Sequence, residues 1–208
     1  MTDSVHPHDI RTVLPDILER AGAAEAMLTL VCHPITLNWR QRFASDVVML
    51  RNSDSALDTT APSRVMQVSA EALPGSLPAM IEEAQQESKV VSLISRIRST
   101  ARDAHLSMMN LHPPAGSSMD EVMNAIRSVR PPGEVGRVFA SGRFCHYYGS
   151  TLIEEEAWTR NLARWLMPSV LVSPRYIGHC VFQTYSSLRL SALEPLKPTV
   201  PYLVQDWF

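Results

Sequence analysis

The chain has 208 residues, of which 45% are hydrophobic and 19% charged, with a formal net charge of -2. These proportions exclude a disordered chain, which lacks the apolar surface to offset its ordering entropy, and predict a soluble protein folding as a single domain over residues 1–208. The charge argues against a globally basic protein held on nucleic acid by charge alone, since such binding requires many phosphates to be neutralised at once.

Residues 1–11 are polar and carry Asp3, His6 and His8, so they lack the basic and apolar regions of a signal peptide. Ile10, Val13, Leu14, Ile17 and Leu18 recur at spacings of three and four, which predicts a helix; Pro15 implies a start near Thr12 or a kink, and Gly22 is a natural stop. A helical N-terminal part is thus expected within residues 1–30. Residues 27–35 form an apolar run, a buried strand ended at His33-Pro34. Residues 46–51 and 65–69 read as short strands around a polar loop, 52–63. Residues 77–88 predict a helix with Pro78 near its start, and 89–97 fit helix or strand.

Pro113, Pro114 and Gly116 break the chain, and Ser118 with Glu121 has the spacing of a capping box, predicting a helix over 119–129. Pro131, Pro132 and Gly133 end it, and 135–140 resumes as a strand. Residues 154–167 predict a helix carrying Trp158, Leu162 and Trp165 on one side, with Glu154, Glu155 and Glu156 favourable to its dipole. Residues 176–182 and 187–191 read as a strand hairpin, and the proline-rich 195–201 as extended chain. No stretch reaches the roughly 20 apolar residues of a membrane-spanning helix. Cys32, Cys145 and Cys180 form no CxxC pair and read as buried thiols in a reducing compartment, so the expected location is the cytoplasm.

Two clusters carry candidate chemistry. Ser141, Gly142, Arg143 and His146 follow a predicted strand, where turn amides and charge-assisted hydrogen bonds suit a phosphate; a solvated surface turn, with His146 packed on Tyr148, explains the same residues. In the second, a strand over 176–182 places Arg175 and His179 on one face, and Arg189 on the adjacent strand completes a cationic group. Its plain alternative is a core His179 and an Arg189 paired with Glu194. His33, His105 and His112 have no metal-ligand spacing, and no metal site is assigned. Ser141, His146 and Glu154 can be written as a triad, yet no GxSxG elbow accompanies them. Met108 and Met109, beside Leu106 and Leu111, read as core.

The strings FASGRFCHYYG, SPRYIGH, LRLSA and KPTVPYLV, with a tryptophan-bearing helix after the first, resemble in order and spacing the primase-like proteins of the archaeo-eukaryotic primase superfamily over residues 134–204. The resemblance implies an α/β (α+β) fold with a mixed or antiparallel sheet flanked by helices. It also implies nucleotide contacts at Ser141, Arg143 and His146, with Arg175, His179 and Arg189 on neighbouring strands. Where it leads one to expect a metal-binding aspartate, the chain has Ser173, and no Asp-x-Asp pair lies upstream; Asp46, Asp54 and Asp58 are the candidate replacements. Two-metal chemistry needs such carboxylates. The resulting expectation is a nucleotide-, DNA- or RNA-binding domain whose nucleotidyl transfer is weakened or lost, with Mg or Mn required only if transfer is retained. Tyr147 or Tyr148 can stack on a base or lie buried. A second reading is a protein-interaction module docking through its C-terminal strands and through Tyr202, Trp207 and Phe208, residues that can equally cap the protein's own core. A third is an active nucleotidyltransferase whose acids come from elsewhere in the chain.

Overall fold

A computed structural model describes residues 8–34, 64–99, 102–142, 144–168, 171–195 and 197–208. The strand and loop predicted over 46–63, with Asp46, Asp54 and Asp58, and Arg143 lie outside the described residues.

Helix α1 (Ile10–Arg20) starts earlier than Thr12, because Asp9 caps it: its carboxylate accepts from the amides of Arg11 (2.8 Å) and Thr12 (3.3 Å). Pro15 is tolerated inside the helix, which ends before Gly22 at φ +74°. Strands β1 (Met27–Pro34) and β2 (Arg64–Ser69) pair antiparallel, and helix α2 (Leu73–Gln86) begins a turn ahead of its predicted start, with Pro74 in its first turn. Residues 89–98 resolve as strand β3 (Lys89–Arg98), followed by β4 (Asp103–Leu111), for which the sequence reading had no element. Helix α3 (Met119–Val129) carries the expected capping box. Then come β5 (Gly136–Ser141), a long β6 (Phe144–Glu154), α4 (Glu155–Leu166), α5 (Pro174–Gln183), β7 (Ser187–Arg189) and β8 (Tyr202–Gln205).

The hairpin expected over 176–191 is a correction. Residues 174–183 are helical, with Pro174 in the first turn and Ile177 and Cys180, three apart, taking the buried positions, while Val181 and Phe182 are exposed. Burial at a period of three is what a helix packed on one side produces. The extended tail also differs: Leu193 and Lys197 close a short backbone bridge on each other.

Every strand pair is antiparallel. The order is β2-β1-β3-β4-β6-β5-β8, and β7 pairs with β3 off that path. Strands β3 and β4 are paired at Arg96–Arg98 and Asp103–His105, while β7 joins β3 at Ser92–Ile94. The architecture is α+β, an open antiparallel sheet with helices on both faces. One core cluster gathers α1, α2 and residues such as Leu106, Met108, Phe139 and Tyr148; the other gathers α3, α4, α5, Met109, Val138 and Tyr147. Alternation along β6 therefore points Tyr147 and Tyr148 to opposite faces. Among the described residues, no helix is long and apolar enough to cross a membrane.

Candidate functional site

The β5–β6 hairpin positions the first constellation. Ser141 pairs with Phe144, and Gly142 takes φ +74°, the left-handed conformation that tight hairpin connections favour. Two residues on, His146 lies opposite Phe139 on one side and Asn110 on the other. From β7, the Arg189 guanidinium donates to Ser141 Oγ at 3.0 Å, to the Thr199 carbonyl at 2.7 Å and to the Ser191 carbonyl. Glu194 is not its partner. Ser141, His146 and Arg189 are all buried.

The electrostatics are one-sided. Burial, then the charges of Arg189 and Lys197 and the neighbouring His112, hold the His146 imidazole down to about 3, so it is neutral at physiological pH. Burial lowers Arg189 to about 10, leaving it charged. Burial and Lys197 lower His112, whose ring stacks on Phe144 at 4.0 Å. Four buried polar atoms here have no hydrogen-bond partner among the described residues: His146 Nδ1, Asn110 Oδ1, His112 Nε2 and Tyr148 OH. Each such atom costs about 1–3 kcal/mol when left unmade.

The six sequence-predicted residues thus divide. Ser141, His146 and Arg189 come together. Arg175 and His179 do approach each other (3.4 Å), but as an i, i+4 pair on helix α5 and not as alternating residues of a strand facing Arg189. Sequence reasoning missed Asn110, His112 and Lys197. The first two lie at the end of β4, a strand whose alternating pattern over Ala104–Leu111 was the available signal. Tyr147 and Tyr148 are fully buried and offer no face to a base. Cys32 and Cys180 are buried as expected, whereas Cys145 is only partly so.

Tyr147 belongs to a second polar cluster across the sheet. The buried carboxylate of Glu134 accepts from Tyr147 OH (2.7 Å), Ser107 Oγ (3.0 Å) and Thr151 Oγ1. Burial raises its pKa against those three hydrogen bonds. Its close seat depends on Gly149, where a Cβ would come within 2.4 Å of Glu134 Cδ.

The Ser141–His146–Glu154 triad has no geometric basis, because His146 and Glu154 are near opposite ends of β6. A different Ser–His–acid chain exists: Ser95 Oγ meets His105 Nδ1 and His105 Nε2 meets Glu155 Oε2, both at 2.9 Å. The Glu155 carboxylate only accepts, so His105 donates from Nε2, and with burial holding the ring neutral its Nδ1 accepts from Ser95 Oγ, which itself accepts the Ser186 amide (3.0 Å). Ser95 and His105 have no exposed surface, and His105 lies flat on Trp158 at 4.1 Å. The chain ties β3, β4 and α4 together and presents no nucleophile.

The aromatic tail is engaged with the protein itself. Trp207 packs on the first core cluster beneath Arg137 (4.2 Å) and Arg20 (4.6 Å). Phe208 packs on the second beside Arg127 and Arg130. Tyr202 remains exposed.

Among the described residues, the donors around His146 are neutral or cationic and include no carboxylate. They do not fit a hard divalent cation, which takes oxygen ligands and balancing negative charge. Among the described residues no group of three His, Cys, Asp or Glu side chains is placed to hold a metal ion.

No curated protein and no solved structure matches the chain. A family model, archaeo-eukaryotic primase 1D-like, matches residues 75–202, reaching well upstream of the 134–204 stretch that carried the resemblance in sequence and taking in most of α2, β3, β4 and α3. That match covers more than half of the chain and joins the β5–β6 hairpin to the strands beside it, and the chain belongs to the archaeo-eukaryotic primase 1D-like family.

Proposed function

We propose that this primase-like domain binds a nucleotide or nucleic acid through phosphate contacts centred on Ser141, His146 and Arg189, with nucleotidyl transfer weakened or lost. The observation that carries the reading is the His146 constellation, where positive charge gathers around buried polar atoms that no group among the described residues satisfies. An incoming phosphate oxygen supplies a counter-charge for the cations and an acceptor for Tyr148 OH and for a protonated ring nitrogen of His146 or His112, while Asn110 Oδ1, itself an acceptor, would take a donor such as a ligand hydroxyl or amine. Arg143, adjacent to Gly142 in the sequence, would add a further phosphate contact, whereas Arg175 and His179 lie on α5, which packs on the Tyr147 face of the sheet. Weakened transfer is the reading because Ser173 stands where a metal-binding aspartate is expected and no Asp-x-Asp pair lies upstream; Asp46, Asp54 and Asp58 are the acids by which an active enzyme would be completed.

The test is fluorescence anisotropy of a labelled primer-template with and without nucleotide and manganese, over a salt series, followed by primer extension in the same mixture. Salt-sensitive binding that weakens in His146→Gln and Ser141→Ala, without extension, is the expected result. No binding at low salt overturns the proposal, and extension overturns the loss of transfer.

A further inference from the structure

At the far end of β6 from His146, residues 151–154 and helix α4 border an open groove of about 440 Å³. That volume falls among small-ligand sites, which span about 300–1,000 Å³. Arg160 and Arg164 line it one helical turn apart, on a stripe shared with Ala157 and Asn161. Like charges at this spacing repel, and neither side chain has an ion pair or hydrogen bond among the described residues. Arg102 is the third cation in the lining and is already paired with Glu154, the single acid there, so the groove is net positive.

Asn161 supplies an independent observation. It is 6% exposed, it lines the groove, and neither its Oδ1 nor its Nδ2 has a hydrogen-bond partner. A buried amide with donor and acceptor both unmade is costly, and a ligand edge offering one acceptor and one donor satisfies both at once. Of the remaining lining, Pro131, Leu152, Ile153 and Ala157 are apolar, and the Thr151 hydroxyl is held by Glu134.

We infer that this groove binds a small phosphorylated ligand with a planar, hydrogen-bonding body, in class a mononucleotide. Arg160 and Arg164 take the phosphate, the body lies against Pro131 and Ala157, and the Asn161 amide pairs with its edge as asparagine does with adenine. The cations converge on one compact groove and do not track along a face, which favours a small ligand over a nucleic-acid strand. The groove shares no residue with the His146 constellation, so the two sites stand or fall separately.

The full chain, labelled with ¹⁵N, is titrated with AMP, with inorganic phosphate and with an oligonucleotide lacking terminal phosphate. The account expects saturable movement of the Asn161 side-chain amide and of the backbone amides of residues 157–164, with AMP at least about tenfold tighter than phosphate. The double variant Arg160→Ala, Arg164→Ala, at an exposed and a half-buried position, weakens AMP by about tenfold or more. Signals from Phe144 to His146 report the other site separately. An Asn161 amide that AMP leaves unmoved, AMP no tighter than phosphate, unchanged affinity in the double variant, or a response to the oligonucleotide alone would each overturn the inference.

Discussion

His146 and Tyr147 are consecutive residues of β6, yet they enter opposite faces of the sheet and opposite kinds of polar cluster. On the Tyr147 side, one carboxylate meets three hydroxyl donors, and Gly149 is kept bare so that Glu134 can lie flat against the strand. On the His146 side, cations gather around four polar atoms with no partner among the described residues. Burial is common to both, so burial does not mark function. What separates them is whether the protein completes its own hydrogen bonds among the described residues: a completed cluster stabilises the fold, and the incomplete one of a single charge sign is what the proposed phosphate site rests on.

The largest expected effect breaks the completed cluster. Glu134→Ala strands two buried hydroxyls and a half-buried one and opens a cavity, so it should lower unfolding free energy by about 3 kcal/mol or more in urea melts. Glu134→Gln keeps acceptors for Tyr147 and Ser107 and can donate to Thr151, and should recover most of that loss. Next, Tyr147→Phe removes one donor and should cost about 1–2 kcal/mol. Neither Glu134→Gln nor Tyr147→Phe should alter nucleotide binding; a matching loss of binding would erase the distinction between the faces.

The pH dependence sharpens it further. His146 is depressed in the fold, so the unfolded chain takes up its proton first on acidification. The stability this represents is complete above the ordinary histidine value near 6.5 and is lost as pH falls toward about 3. Glu134 is raised, and its contribution has the opposite sign, present below the ordinary carboxyl value near 4.5 and lost as pH climbs through its folded value. Chemical denaturation between pH 4 and 7 should therefore show a shallower acid loss in His146→Gln than in the native chain and a steeper one in Glu134→Gln. The smallest effect belongs to Arg175→Ala at an exposed position of α5, which should move stability by under about 0.5 kcal/mol and leave nucleotide binding essentially unchanged.

Legibility in the sequence followed how local each signal was. The Ser118–Glu121 capping box, the Pro131–Gly133 stop and the Trp158, Leu162, Trp165 stripe are decided within one turn or one helix, and the structure has all three. Residues 174–183 were misread because RYIGHCVF alternates acceptably for a strand; only the neighbours that bury Ile177 and Cys180 and leave Phe182 in water settle the period. The Ser141–His146 part of the site lies within one hairpin and was readable. Asn110, His112 and Lys197 come to it from β4 and the C-terminal segment, through pairings that span tens of residues and that no local pattern specifies. Arg189 was singled out for the wrong geometry: it reaches Ser141 from β7, paired to β3, and not from a hairpin with residues 176–182.

The central claim concerns an unpartnered nitrogen, so the most direct measurement is the ¹⁵N chemical shift of the His146 imidazole during titration with a nucleoside triphosphate. The account predicts that Nδ1 shifts to a hydrogen-bonded value, saturating with the same affinity that calorimetry gives for the native chain. It also predicts that His146→Gln weakens that affinity by about tenfold, or ~1.4 kcal/mol, with the thermal midpoint at neutral pH little changed. A His146 signal unmoved at saturating nucleotide would contradict it and make the constellation a structural feature of the sheet.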